Sequence, residues 1–498
     1  MTESMSRRAR QQLRPRRPVP GRLVALAGVL LAVVGLGVVN NAVATPTAAP
    51  APWPADGVPI APAGSFSSSA FCVGGAAGPD GLAGTTLYLT NTSSEAVHGV
   101  MTSQVAPGTG SGATSSGTPG APTTRTVVVP ADGQAAVNPG AGLATGDLAT
   151  WFAFDGGGVA VNQEVSGADG WSTAPCASQT SASWYLAGGS TANGNTLTLD
   201  LYNPSSAPSV VDVTFLTPSG VITPADYQGL SVPAGQLVAE NIGDFVQGQG
   251  DIATEVTAQS GQVVAAQLQQ WAGGKTGGIG LSLGSPVTST AWYFAQSTNT
   301  GGAVTFHLAN PGSSPVIATL SFGFPVAKAV PVMLSIPPQS VATYVTSSGR
   351  LPGQTPFSTV VRSNGALVVS RTVEARSGAS TPPKWGGSRG ATTLATRWLV
   401  PAPGVSGAPG TSGATVDSLA VSDPGPLAAR VVVTEAVTGK QVAVFTVAPA
   451  SLVVLGPSTI SGLRAFGVTS SVPVTVEEDS GPTGAPGVVS STGMSFPS

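Results

Sequence analysis

Charge is what this 498-residue chain has least of. Asp, Glu, Lys and Arg make up 9% of it, where soluble domains carry about 25%. Lysine is nearly missing, four against sixteen arginines, a bias of the kind that a GC-rich genome produces. Disordered chains are charge-rich and poor in branched apolar residues, so 41% hydrophobic content argues for a folded protein. Histidine and cysteine occur twice each. Zinc centres and Ser-His-Asp systems draw on those residues with defined partners, so little metal or nucleophilic chemistry is open to the chain, and no cofactor is expected. Sixty-six glycines and forty-three prolines work against long helices and suit many short strands.

The charge that exists is unevenly placed. Seven of the twenty basic residues lie within Arg7–Arg22, and the chain after residue 44 holds 13 basic and 22 acidic side chains. An acidic body does not suit nucleic acid, whose binders cluster Lys and Arg against phosphates. Residues 1–22 read as a basic cytoplasmic segment. Residues 23–44 read as a signal peptide or signal anchor, because Leu23–Val39 is apolar throughout and its length spans roughly 25 Å as a helix, just short of a hydrocarbon core. The preceding arginines put the N-terminus inside and the rest outside. Ala42-Val43-Ala44 offers a cleavage site, so anchoring in the cytoplasmic membrane and secretion after cleavage near Ala44 both stay open. Residues 45–66 are Pro/Ala-rich and read as a semi-rigid spacer.

The remainder repeats. WYLAGG at Trp184, WYFAQS at Trp292 and WLVPAP at Trp398 recur 108 and 106 residues apart, with FCVGG at Phe71 as a degenerate first copy. Each leads into an alternating strand that stops at Asn91, Asn203-Pro204, Asn310-Pro311 or Asp423-Pro424; these residues bond the local backbone or preset φ and so begin a turn. Further period-2 strands follow. A last pair flanks Asp155-Gly156, Ser260-Gly261 or Asn364-Gly365, which predicts hairpins. About seven short strands per copy match an immunoglobulin-like sandwich. The expected fold is all-β: four tandem immunoglobulin-like β-sandwich domains at 67–178, 179–287, 288–392 and 393–498, after one N-terminal transmembrane or signal helix.

These motifs (WYFA, apolar-x-apolar-x-NP, VP, V-V-x-R/E) resemble the WYFAEG-type tandem repeats of secreted bacterial proteins. Over about residues 65–495 the chain resembles an uncharacterised actinobacterial family, DUF5719. The resemblance implies an envelope setting and no known chemistry.

Candidate residues are few. Cys72 and Cys176 bracket the first copy and, in an oxidising exterior, read as a disulfide. His98 and His307 sit in predicted strands and read as ordinary strand residues. The carboxylates Asp244, Asp251 and Glu255, and Glu477, Glu478 and Asp479, read as solvated groups on loops or a charge run. Trp184, Trp292 and Trp398, like Trp171 and Trp271, recur and read as packing. Trp151 and Trp385 lack counterparts and are the expected ligand contacts. GGKTGG at Gly273–Gly278 lacks the strand–loop–helix setting of a phosphate loop. Together these features predict a non-enzymatic extracytoplasmic scaffold or protein-interaction module of the cell envelope, partnered by an envelope protein. A carbohydrate- or wall-polymer-binding protein is the alternative.

Overall fold

The computed structural model describes residues 58–77, 82–106, 121–167, 170–273, 276–298, 302–326, 329–346, 351–352, 355–375, 384–401, 414–460, 462–463, 465–482 and 489–496. The apolar run at 23–39, the Ala44 site, most of the Gly/Ser/Thr-rich insertion at 108–124 and the GAPGTSG stretch at 407–413 lie outside the described residues. Among the described residues no helix is long and apolar enough to cross a membrane. The described part is all-β, and its helical elements are two 3₁₀ turns and the four-residue α1 (Pro457–Ile460).

The first copy holds β1 (Ser68–Ala77), β2 (Leu82–Asn91), β3 (Val97–Val105), β4 (Thr123–Val129), β5 (Gly133–Val137), β6 (Gly146–Phe154), β7 (Val159–Gly167) and β8 (Gly170–Pro175). They form two antiparallel sheets, β1-β6-β3-β4 and β5-β2-β7-β8. The pairing order then recurs. The second copy has β9 (Ser183–Gly189), β10 (Thr196–Tyr202), β11 (Ser209–Thr217), β12 (Gly220–Ile222), β13 (Leu230–Val232), β14 (Leu237–Asn241), β15 (Ile252–Ser260), β16 (Val264–Gly273) and β17 (Thr276–Leu283). Here β9-β15-β11, with β12 and β13 on β11, faces β14-β10-β16-β17.

The third copy has β18 (Ser289–Ser297), β19 (Val304–Asn310), β20 (Val316–Gly323), β21 (Val332–Ile336), β22 (Ser340–Val345), β23 (Phe357–Ala375) and β24 (Lys384–Arg389). The fourth has β25 (Ala395–Pro401), β26 (Ala414–Asp423), β27 (Ala429–Glu435), β28 (Gln441–Val447), β29 (Ser451–Leu455), β30 (Ala465–Pro482), β31 (Val489–Thr492) and β32 (Met494–Ser495). Each copy carries a strand that its sequence rhythm does not predict. The added strand, β8, β17, β24 or β31, is short and glycine- or serine-rich, so its alternation is weak.

Period-2 burial explains the strands. In β11, Val211, Val213 and Phe215 are wholly buried while Asp212 and Thr214 lie on the other face. The expected hairpins do not form. The strands before and after Asp155, Ser260 and Asn364 belong to opposite sheets, and in the third and fourth copies they run on as single strands, β23 and β30, shared by both sheets. The polar side chains at these crossings instead cap a neighbouring strand. Asp155 Oδ1 accepts from His98 N (2.8 Å), Asn364 Oδ1 from Ile317 N (2.8 Å) and Ser471 Oγ from Arg430 N (2.9 Å).

The leading tryptophans pack as expected. Trp184, Trp292 and Trp398 are at most 1% exposed and donate Nε1–H to the carbonyls of Val263 (2.7 Å), Leu367 (3.1 Å) and Val474 (3.1 Å). The first copy is in a different register from its sequence alignment. The isolated bridges Phe71↔Ala177, Tyr185↔Ser285 and Tyr293↔Ala391 make Phe71 the partner of the tyrosines and Ala70 the partner of the tryptophans. The Cys72–Cys176 disulfide flanks that same bridge and closes the first copy across a separation of 104 residues.

The residue after the tryptophan points away from its own copy and into the next. Phe71 joins the core of the second copy, Tyr185 packs against that of the third and Tyr293 joins that of the fourth. Leu399 completes the series by packing with Ala160 of the first copy. The succession therefore closes on itself, within a single compact unit spanning Pro54–Ser498. Ile60 and Met494 join the closing cluster, with Ile60 N bonded to Ser495 O (3.1 Å) and Gly158 N to Ala61 O (2.8 Å). Val58 and Ile60, within the stretch read as spacer, are buried.

Candidate functional site

Successive copies meet through polar groups on the outer face of each second sheet. Position by position, Asp200, His307 and Ala420 of β10, β19 and β26 correspond, three residues before the Asn or Asp that ends each strand. Across the ladders their neighbours are Ala266, Ser370 and Glu477. The preceding copy approaches through its leading strand. Gly74 and Gly188 there have φ of 90° and 83°, open to glycine at little steric cost, and a side chain at Gly188 would stand 2.7 Å from Ser370 Oγ.

Each junction carries different chemistry. Between the first and second copies Asp200 is fully buried and neither carboxylate oxygen has a partner. Burial, and secondarily the nearby Asp147, hold its carboxyl well above the usual range. Between the third and fourth, Arg371 and Glu477 form a fully buried ion pair at 3.0 Å. Arg371 also bonds Ser297 Oγ (2.8 Å), Ser388 Oγ (3.1 Å) and the Gln296 carbonyl, and it lies over the Phe294 ring. Burial pushes the Glu477 carboxyl up, and Arg371 pulls it back. Glu478 is buried with both oxygens unpartnered, and its carboxyl is raised well above the ordinary range by burial, then by Asp479 and Glu164. The solvated charge run expected at Glu477 and Glu478 is thus an interior feature, because β30 carries these residues between two copies.

The junction between the second and third copies is open. A cleft of about 790 Å³ lies there, within the range of small-molecule sites. Its floor is a chain of three side chains. Asp251 Oδ1 is 2.8 Å from His307 Nδ1, and His307 Nε2 is 3.0 Å from Thr372 Oγ1. All three residues are less than 9% exposed, and Asp251 Oδ2 has no partner. Around them lie Ser190, Asn193, Asn195, Ser219, Gln249, Thr305 and Thr343. His307 comes from β19, Thr372 from β23 beside it, and Asp251 from the turn leading into β15.

One end of the cleft is aromatic. Trp271, at the end of β16, and Trp385, in β24, are stacked with ring centroids 6.2 Å apart and an interplanar angle of 27°. Glycines make this possible. A side chain at Gly280 would stand 2.6 Å from Trp271 Cη2. At Gly278 it would stand 2.8 Å from Trp385 N, where β17 and β24 pair in parallel and join the two copies in one sheet. The GGKTGG glycines that resemble a phosphate loop include this close backbone approach.

Of the two expected contact residues, Trp385 lines the cleft and Trp151 does not. Trp151 is half-buried, stacked on Phe71 at 6.3 Å and packed against the core of the second copy. Trp385 has a counterpart after all: the ladders Ser166↔Trp171 and Glu374↔Trp385 put Trp171 in the same place in the first copy. Of the expected carboxylates, Asp251 is in the cleft, Asp244 is exposed and Glu255 is half-buried on β15. His98 is a surface residue 3.5 Å from Asp155. Sequence reasoning missed the pairing of Trp271 with Trp385 and of His307 with Asp251 and Thr372. The one available signal was His307 itself, a polar residue three positions before Asn310 where the first copy has Tyr88. Among the described residues no group of three His, Cys, Asp or Glu side chains could hold a metal ion.

Comparison with known proteins is sparse. No curated protein matches the chain. A solved structure from Thermotoga maritima is 16% identical, with 21% of this chain and 93% of that one covered at a TM-score of 0.20. A tetra-tandem repeat from the extending region of a large adhesion protein is 13% identical, with 82% and 94% covered at 0.10. Residues 152–290, from within β6 to the start of β18, match a family of unknown function, DUF5719.

Proposed function

We propose that the chain is a non-enzymatic, extracytoplasmic glycan-binding protein of the cell envelope, held at the membrane through Leu23–Val39 or released after cleavage near Ala44. In this reading the copies are WYFAEG-type repeats forming four immunoglobulin-like sandwiches at 67–178, 179–287, 288–392 and 393–498. The observation that carries it is the Trp271–Trp385 stack beside a floor of hydroxyl, amide and carboxylate groups. Indole faces take the apolar face of a sugar ring, and the polar groups take its hydroxyls.

Asp251, His307 and Thr372 are ordered like a catalytic triad, yet binding suits them better. Thr372 lies mid-ladder between Thr305 and Gly387. Flanking strands on both sides commit the backbone N–H groups beside it, which an oxyanion would need.

The test is an array of envelope polysaccharides probed with the purified protein and its Trp385→Ala variant. Retention of at least one glycan by the wild type, lost in the variant, supports the proposal. Failure to retain any glycan sinks it. A second reading, a protein-interaction scaffold, is favoured by the closed succession of copies. Crosslinking in intact envelopes should then recover a protein partner even from the Trp385→Ala variant.

A further inference from the structure

We propose that the His307 relay makes the floor of this cleft a hydrogen-bond acceptor backed by a carboxylate, so that it takes an uncharged, hydroxyl-rich saccharide and rejects acidic glycans. The inference rests on the glycan reading and narrows its ligand. Asp251 Oδ1, 2.8 Å from Nδ1, is acceptor-only when ionised, so the neutral imidazole carries its proton on Nδ1 and presents a lone pair at Nε2. Thr372 Oγ1, 3.0 Å away, then gives its single proton to Nε2. Only its lone pairs remain for a ligand. Asp251 Oδ2 is buried without a partner in the protein, so the carboxylate stands uncompensated behind the floor of the cleft it lines. Through one imidazole, Asp251 therefore fixes the polarity of Thr372.

Apart from His307, Asp251 is the only ionisable side chain among the described residues lining the cleft. Sugar hydroxyls can donate to Thr372 Oγ1. A uronate carboxylate cannot donate and meets the field of the Asp251 charge, and such like-charge encounters are a common source of discrimination. The close fit of the neighbouring copy holds the ring in place: a side chain at Gly188 would stand 3.2 Å from His307 Cδ2. Trp385 supplies the stacking face, which is indifferent to charge at this floor.

The test measures binding to the full chain, by calorimetry and tryptophan fluorescence, of neutral glucose, galactose and mannose hexamers and of the same hexamers oxidised to uronates at C6. At least one neutral hexamer should bind, with its uronate about tenfold weaker or worse. Asp251→Asn, its fold checked by near-UV circular dichroism, should bring the uronate to within about threefold of the neutral sugar. Thr372→Val should weaken the neutral hexamer without restoring the uronate. Equal binding of both classes by the wild type overturns the inference and leaves the glycan reading standing. So does discrimination that survives in a folded Asp251→Asn. Binding of no hexamer by the wild type overturns this inference, and the polysaccharide array then decides the broader reading separately. Should Asp251→Asn fail to fold, the wild-type comparison with Thr372→Val still decides.

Discussion

Arg371 Nη2 lies 3.0 Å from Glu477 Oε2 with neither side chain reaching solvent, and the pair joins the third copy to the fourth. Such a pair is weak support for stability in itself, because desolvation offsets its attraction, but breaking it leaves a buried charge uncompensated. Glu477→Ala should therefore destabilise the protein by about 3–5 kcal/mol. The double variant Arg371→Met/Glu477→Leu should cost much less. Urea unfolding of the two variants gives the comparison, and equal losses would show that the network's other bonds, to Ser297 and Ser388, matter more than its charges.

Asp200 predicts a pH dependence. Its carboxyl is raised well above the ordinary range by burial, so the folded state holds its proton more tightly than the unfolded state. The resulting stability is fully present below the unfolded carboxylate pKa and is lost as pH rises through the folded one. In that window the loss approaches about 1.4 kcal/mol per pH unit. Asp200→Asn, which cannot ionise, should gain on the wild type as pH rises from 5 to 8. A wild-type-minus-variant difference that stays flat with pH would mean that Asp200 keeps its charge in the folded protein.

The disulfide predicts a reductant effect. Cys72 and Cys176 are 104 residues apart, and closing a loop of that size stabilises by up to about 4.7 kcal/mol in the chain-entropy model. The other described bridges at this position, Tyr185↔Ser285 and Tyr293↔Ala391, hold without cysteines, so Cys72→Ser/Cys176→Ser should still fold. It should lose about 2–4 kcal/mol in urea unfolding, and dithiothreitol should lower the wild type alone.

The strands were legible because burial alternates along them, as in Val211, Val213 and Phe215. The cysteine pair was legible from its bracketing of one copy, and the role of Trp184, Trp292 and Trp398 from recurrence. What could not be read was the relation between copies. The residue after each tryptophan looks like one more core position, yet Tyr185 and Tyr293 serve the next copy. That arrangement buries Glu477 and Glu478 and brings His307 to Asp251. A short motif carries no record of which copy lies against its outer face, so the cleft could not be assembled from sequence. Trp151 illustrates the converse: its lack of a repeat counterpart suggested a contact residue, while stacking on Phe71 accounts for it locally.

The turn that ends each second strand gives the last prediction. Asn91, Asn203 and Asn310 are fully buried, and each uses both ends of its amide. Nδ2 donates to the carbonyl four residues on, that of Glu95 (2.7 Å), Ala207 (2.8 Å) or Ser314 (2.8 Å). It also reaches a carbonyl at the end of β4, β13 or β21, that of Pro130 (3.0 Å), Val232 (3.0 Å) or Pro337 (3.0 Å). Oδ1 accepts from the backbone N–H two residues on. The fourth copy has Asp423 in this place. Its Oδ1 accepts from Gly425 N (2.8 Å), but its Oδ2, where the others carry a donor, is buried without a hydrogen-bond partner. Burial accordingly raises the Asp423 carboxyl, against the pull of the Gly425 N–H. Asp423→Asn would supply the missing donor to the carbonyls of Leu427 and Val447 and should stabilise the protein by about 1 kcal/mol at pH 7. The gain should shrink in acid, because a raised carboxyl contributes its stability below the unfolded pKa and loses it as pH rises, so the protonated wild type recovers there. Thermal unfolding at pH 7 and pH 4 checks both parts. A variant no more stable than the wild type at pH 7 would mean that the fourth turn has been built around an acceptor, and that its resemblance to the other three stops at the backbone.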